Sequence, residues 1–254
     1  MAKVSSVMSP EEVAEVSARM ASKEPQEVLA WALGRLHPSI AISSSFGAED
    51  VVLIDMAWRI NPQVRVFTLD TLRLPTETYT LIDQVKLRYG MPIEVYYPKL
   101  ESVSEMVEAH GFNLFYKGID FRKLCCGIRK VEPVERALKD LDAWVSGLRR
   151  DQIVTRATIS KVELDEAHPG KVKINPLADW TWEQVWGYIK SNQVPYNSLH
   201  DQGFPSIGCD PCTRAVKPGE DPRAGRWWWE SDPSAKECGL HVVSPLADIK
   251  LSVP

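Results

Sequence analysis

From residue 39 to residue 148 the chain alternates short β-prone runs with amphipathic stretches, and no other feature restricts its fold as much. The spacing predicts a buried strand at 39–43, then a helix at 47–60 with apolar Val51, Val52, Ile54 and Met56. A strand at 64–69, a helix at 76–89 stopped at Gly90 and a strand at 93–97 follow. Helices come next at about 102–110 and 123–141, then a strand at 143–148. Strands joined by helical crossovers pair in parallel, and such a sheet must be covered on both faces. The expected fold is therefore α/β, a doubly wound and mostly parallel sheet with helices on both faces. Ligands of such sheets bind beyond the carboxyl ends of the strands. The polar strand ends Ser43-Ser44-Ser45, Leu69-Asp70-Thr71 and Gly147-Leu148-Arg149-Arg150-Asp151 are accordingly expected on one rim.

Either side of this alternation the signals differ. Ser9-Pro10-Glu11-Glu12 is a capping box with proline at the first helical position, predicting a helix to about residue 20, and a second helix is expected at 25–36. Beyond Thr158, residues 171–174 read as a short strand, and Thr181-Trp182-Glu183-Gln184 caps a helix to about residue 191. From Pro195 the chain is rich in proline and glycine and is expected to be irregular. With 254 residues, 44% of them hydrophobic, it can bury one large domain or a domain with an appendage. No apolar run approaches the ~20 residues of a membrane span, and the first ten residues lack an apolar signal core. No membrane association is expected, and a cytoplasmic, reducing setting is the default. A net charge of −4 argues against general nucleic-acid binding, so an anionic ligand would have to meet a local basic cluster.

Five cysteines divide four to one: the pairs Cys125-Cys126 and Cys209-x-x-Cys212, and the separate Cys238. In a reducing compartment, clustered cysteines are more often metal ligands or catalytic groups than disulfides. Zinc and iron–sulfur clusters both accept four thiolates. Adjacent cysteines suit a cluster better, because each can take its own iron, whereas two ligands gripping one zinc ion are usually spaced. The plainer reading, buried core thiols on a helix, stays open. Cys238 lies in Lys236-Glu237-Cys238-Gly239-Leu240-His241, where Lys236 and His241 would favour a thiolate; taken alone it reads more readily as an incidental tail residue.

The turn Ser43–Asp50 joins strand to helix, and its N–H groups and hydroxyls offer an anion site, although many such turns are only helix caps. Basic residues gather at Arg122, Lys123, Arg129 and Lys130; at Arg149, Arg150 and Arg156; at Arg214 and Lys217; and at Arg223 and Arg226. Each taken singly reads as solvated surface. Trp227-Trp228-Trp229 reads most simply as packing, with stacking on a cofactor or partner as the sharper alternative.

Together these segments resemble the phosphoadenylyl/adenylyl-sulfate reductase family over most of the chain. The resemblance rests on Ser43–Val52, Thr68-Leu69-Asp70-Thr71 with Glu77-Thr78-Tyr79, Cys125-Cys126-x-x-Arg129-Lys130-Val131-Glu132-Pro133 and Gly147-x-Arg149-Arg150-Asp151-Gln152. It continues in Asn175-Pro176-Leu177, Gly208-Cys209-x-x-Cys212-Thr213, Gly225–Glu230 and Glu237-Cys238-Gly239-Leu240-His241. It implies a PP-loop, adenine nucleotide α-hydrolase-like fold: a nucleotide-binding domain at 1–229 carrying a 4Fe–4S cluster on Cys125, Cys126, Cys209 and Cys212, and a mobile tail at 230–254. Members with both cysteine pairs reduce adenosine 5′-phosphosulfate, and those without them use the 3′-phosphorylated substrate. The implied nucleophile is Cys238. Lys130, Arg156, Arg223 and Arg226 are assigned to the phosphosulfate, Ser44, Ser45, Leu69 and Gly147 to the nucleotide, with Thr71 and His241 also at the substrate. With four thiols committed to iron, the second thiol must come from outside, and thioredoxin fits better than glutaredoxin. Homo-oligomerisation is left open. Leu72 stands where the family usually has glycine, and the turn lacks the paired glycines of ATP pyrophosphatases. A sulfur-transferring ATP pyrophosphatase with a cluster, and a non-enzymatic metal-bound regulator, are the competing readings; the latter would need neither Cys238 nor the anion rim.

Overall fold

The computed structural model describes residues 8–153 and 156–231. Within them the chain forms two compact units, each built from separated stretches: 8–68, 77–94 and 138–197 in the first, 69–76, 95–137 and 198–231 in the second. No helix of the described residues is long and apolar enough to cross a membrane.

Six strands form one sheet: β1 (Ile40–Ser43), β2 (Arg65–Leu69), β3 (Glu94–Tyr96), β4 (Ala143–Val145), β5 (Val162–Leu164) and β6 (Val172–Ile174). Their order is β3-β2-β1-β4-β6-β5. β1 runs parallel to β2 and β4, and β6 runs parallel to β4; β5 returns antiparallel at the edge. Register places Ile42 beside Val66 on one side and Val145 on the other, and all three are fully buried. That continuous apolar centre is the signature of a sheet covered on both faces. The direction of winding reverses between β1 and β4, which marks the crevice where ligands of such sheets bind.

In the first unit, helices α1 (Pro10–Met20) and α2 (Pro25–Leu36) precede the sheet, and α3 (Ala48–Ile60) and α4 (Thr76–Tyr89) alternate with its strands. The capping box at the start of α1 forms: Glu12 N donates to Ser9 Oγ at 3.2 Å, and Ser9 N donates to Glu12 Oε2 at 2.8 Å. Every residue of α3 from Ala48 to Ala57 is buried apart from Glu49, a wider apolar face than its sequence pattern alone suggests. α8 (Trp182–Asn192) starts from the predicted Thr181–Gln184 box.

The second unit holds α5 (Leu100–His110), a 3₁₀ turn at Leu114–Lys117, α6 (Ile119–Cys126) and α7 (Glu132–Leu138). The single helix expected at 123–141 is broken: a π-helical stretch, Gly127–Val131, separates α6 from α7 directly after the adjacent cysteines. Its core is small, centred on Met106, Leu114, Phe115, Cys212 and Trp227. An isolated antiparallel bridge between Thr213 and Arg226, flanked by Arg214 N donating to Gly225 O at 3.0 Å, ties the second cysteine pair to the residues preceding position 231. Gly225 is required there, because a Cβ would collide with the Arg214 carbonyl oxygen.

Candidate functional site

At the reversal point of the first unit, the turn after β1 runs into the N-terminus of α3. Ser44 N donates to Phe67 O at 2.9 Å, and Ser44 Oγ accepts from Phe46 N at 3.1 Å, the latter residue holding φ 59°. The donors expected to face an external anion are turned inward. Ser45 N, Ser45 Oγ and Gly47 N all donate to Asp50 Oδ2, at 2.6, 2.8 and 3.3 Å. Burial pushes the Asp50 carboxyl up to about 6, opposed by these hydrogen bonds. The turn is therefore filled by the chain's own carboxylate. Gly147, just past β4, allows this packing: a Cβ there would lie 2.5 Å from Asp50 Oδ1 and 3.0 Å from Glu49 Cβ.

Next to this turn, Glu49 Oε1 accepts from Arg149 Nε at 2.9 Å and from Gln152 Nε2 at 2.8 Å. Gln152 Oε1 in turn accepts from Arg156 Nη1, so one amide links an acidic residue to a buried guanidinium. Arg149 also pairs with Asp151 and lies 5.5 Å from the ring centroid of Trp182. This part of the expected strand-end rim forms within the first unit, and it brings together Ser44, Ser45, Gly147 and Arg156.

The second unit gathers the two cysteine pairs. Cys125, Cys126, Cys209 and Cys212 line one concavity, together with Arg122, Arg129 and Lys130. All four are free thiols, Cys212 buried and the others half-buried. Thr71 Oγ1 lies 3.2 Å from Cys209 Sγ, and Arg129 Nη1 donates to Thr71 O at 2.7 Å. Burial pushes the Cys212 thiol up to about 12 and raises Cys125 as well; Cys209 adds to both, while nearby cations oppose. No three cysteine, histidine or carboxylate groups of the described residues are drawn together closely enough to hold a metal ion.

The chemistry of the donor set nevertheless fits a polynuclear group. Four sulfurs converge on one concavity. Trp229 packs against the core that contains Cys212, and its indole N–H is buried with no hydrogen-bond partner, a donor awaiting an acceptor. Lys130 lies close enough to lower both the Cys125 and the Cys212 thiol.

Arg226 has the site's most telling environment. Its side chain is buried, its Nε has no partner, and Nη1 reaches only the neutral acceptors Ser206 Oγ (3.2 Å) and Ile207 O (3.3 Å). No carboxylate among the described residues pairs with it. Arg122 is the contrasting case: Glu230 takes it in a two-pronged pair at 2.6 and 3.1 Å, both side chains about 3% exposed. Removing one partner of such a pair typically costs ~3–5 kcal/mol.

The surface reading of the basic residues thus fails for Arg122, Arg129, Arg149, Arg156 and Arg226, all of which are buried. Of the three tryptophans, Trp227 is fully buried, Trp229 is half-buried and Trp228 is exposed. Leu69, Thr71, Lys130, Arg223 and Arg226 lie in the second unit with the four cysteines. Cys238 and His241 lie outside the described residues. The sequence reading missed Asp50 as the filler of the turn and Gln152 as the link to Arg156. Only the acidic residue three places into α3, a familiar capping position, hinted at the first.

Leu72 holds φ 59° and donates its N–H to Asp70 Oδ1 at 2.8 Å. A side chain in the left-handed region costs ~1–2 kcal/mol, which glycine avoids at some cost in chain entropy. Leu72→Gly is expected to raise stability by up to ~1 kcal/mol, a gain of ~2–4 °C in melting temperature by calorimetry. A lower melting temperature would show that the half-exposed leucine packs more usefully than its backbone suggests.

Comparison with known proteins places these features in context. A family profile for the phosphoadenosine phosphosulfate reductase domain matches residues 39–215. An adenosine 5′-phosphosulfate reductase of Burkholderia cepacia is 50% identical over 224 residues, covering 88% of this chain and 89% of its own. A protein of the same name from Allochromatium vinosum is 53% identical over 203 residues, covering 80% and 78%. The solved phosphate complex of phosphoadenylyl-sulfate reductase from Candida auris superposes with a TM-score of 0.70 at 33% identity, over 82% of this chain and 98% of that one. An FMN adenylyltransferase of Candida glabrata shares the fold alone, with a TM-score of 0.53 at 15% identity, over 91% and 77% of the two chains.

Proposed function

The chain belongs to the phosphoadenosine phosphosulfate reductase family, and from that premise we infer that it reduces adenosine 5′-phosphosulfate to sulfite and AMP, a step of sulfate assimilation. The observation that carries the reading is the concavity where both cysteine pairs meet, in the same unit as Arg226, a buried cation without a carboxylate partner among the described residues. A buried guanidinium left in that state invites an anion. Arg226, with Lys130, Arg156 and Arg223, is assigned to the phosphosulfate. Ser44, Ser45, Leu69 and Gly147 are assigned to the nucleotide, and Thr71 and His241 to the substrate.

In the proposed reaction the Cys238 thiolate attacks the sulfur of the phosphosulfate. The S–O bond to phosphate breaks, AMP leaves with the electron pair, and Cys238 carries an S-sulfonate. Fixed cations lower the barrier by stabilising charge as it develops on the leaving phosphate. An external thiolate then attacks the Cys238 sulfur, sulfite departs with the S–S electron pair, and a mixed disulfide remains. The second thiol of the partner resolves that disulfide, so one dithiol supplies both electrons. Thioredoxin is the partner proposed, and a reducing cytoplasm is the setting that keeps it charged. In this scheme Cys238, in the segment beyond Glu230, faces first the substrate and then the partner, while 1–229 act as the nucleotide-binding body.

Cys125, Cys126, Cys209 and Cys212 would hold a 4Fe–4S cluster. When bound, it would supply a fixed polynuclear charge beside Lys130 and a cross-link between distant parts of the chain.

A second reading is favoured by the Candida auris structure, which is of a phosphoadenylyl-sulfate reductase. The deciding measurement is sulfite release from adenosine 5′-phosphosulfate and from its 3′-phosphorylated form, each with thioredoxin. A preference of at least ~100-fold in kcat/KM for the form without the 3′-phosphate is expected, as for a site that leaves a buried charge unpaired in the wrong complex. The reverse preference would overturn the substrate assignment.

A further inference from the structure

We propose that Arg122, Trp227 and Glu230 form a positioning device for the substrate anion, in which the buried Arg122–Glu230 pair fixes the indole of Trp227 and that indole sets the guanidinium of Arg226. The guanidinium carbons of Arg122 and Arg226 lie 4.5 and 4.8 Å from the Trp227 ring centroid, within the range of cation–π attraction. Trp227 is itself held by its backbone and by burial. Trp227 N donates to Cys212 O at 3.1 Å, Glu230 N donates to Trp227 O at 2.9 Å, and the residue is 1% exposed. Trp227 also holds φ 43°, a backbone conformation unusual for a bulky side chain. Strain of this kind persists only where the surroundings over-determine it, and it gathers at sites that hold something in place.

The charge arrangement gives the device its purpose. Two guanidinium groups approach one ring, yet only one is matched by a carboxylate. Glu230 grips Arg122 with both oxygens, which prevents Arg122 from competing for an incoming anion. Arg226 has only weak neutral acceptors, so the ring face does most to orient it, and its charge is left for the ligand. Gly208 permits this placement, because a Cβ there would collide with the Arg226 guanidinium. The same residues join helix α6, which carries Cys125 and Cys126, to the segment that leads in sequence towards Cys238.

The proposal rests on the reductase reading, and wild-type sulfite release tests that reading separately. The experiment uses full-length protein purified without oxygen. Trp227→Leu is expected to raise KM for adenosine 5′-phosphosulfate about tenfold, whereas Trp227→Phe, which keeps a ring face, stays within about threefold. kcat, iron content and melting temperature should move much less. In an Arg226→Gln background, Trp227→Leu should add less than about twofold, because the ring would have no guanidinium left to orient. Equal effects of leucine and phenylalanine, additivity in the double variant, or loss of iron in step with loss of activity would each overturn the proposal. Should Trp227→Leu fail to fold, Trp227→Met, which keeps apolar volume without a ring face, supplies the same reading. It should raise KM about fivefold with iron retained, and an unchanged KM would sink the idea. If wild-type protein releases no sulfite, the failure lies with the reductase reading instead.

Discussion

Replacing Cys238 by serine is expected to abolish sulfite release, with turnover falling by at least ~10⁴-fold, the scale on which enzymes lose activity when a covalent nucleophile is removed. Serine is a poor substitute for two reasons. Its hydroxyl is protonated at neutral pH, whereas a thiol near cations is partly thiolate. A sulfate ester would also put oxygen where the partner's thiol must attack a divalent sulfur, so no mixed disulfide could form and no sulfite could leave. Intact mass gives the clearest readout. Incubated with adenosine 5′-phosphosulfate and no reductant, the parent protein should gain one sulfonate and release AMP. Cys238→Ser should gain none while still binding AMP. If the variant acquires the added mass, another thiol is the nucleophile and the division of the five cysteines into four and one is wrong.

Replacing Cys209 by serine is expected to strip iron and acid-labile sulfide from protein purified without oxygen, and to lower the melting temperature steeply. The second unit has little else to hold it. Its buried core is small, and Cys212 is part of that core. Metal-ligand bonds in such a unit become folding free energy, worth several kcal/mol or more. Thr71 gives the variant a further consequence, because its hydroxyl hydrogen-bonds to Cys209 Sγ and the loop carrying it would lose that tether. Elemental analysis and a thermal melt suffice as measurements. Zinc in place of iron in the parent protein, or an unchanged melt in the variant, would refute the cluster assignment.

The layers of the fold were legible because each has a local cause. Ser9 and Thr181 announce helix starts through capping boxes that the structure forms bond for bond. Gly90, at φ 59°, ends α4 where the sequence placed a stop. The apolar runs at β1, β2 and β4 fall within one or two residues of their predicted starts. The π-helical stretch at Gly127–Val131 escaped notice because a change from i−4 to i−5 bonding leaves no compositional mark. β5 escaped because three residues, Val162–Leu164, at a sheet edge are too few for an alternating pattern. In the site, residue types were legible and their partners were not. Nothing in the serine turn reveals that Asp50 turns back to accept its donors, nor that Arg122 is matched by Glu230, 108 positions away. Long-range pairing of charges depends on the completed fold, and a single sequence does not display it.

The interleaved construction of the second unit has a consequence for biosynthesis. Cys126 leaves the ribosome 83 residues before Cys209, as their positions dictate. At ~5–20 residues per second, the adjacent pair waits roughly 4–17 s before its counterpart exists. Any iron delivered in that interval meets two ligands instead of four. If the four thiols hold the proposed cluster, its loading would be a late event in the life of the nascent chain, and the early pair would have to be kept reduced until the rest of the site arrives.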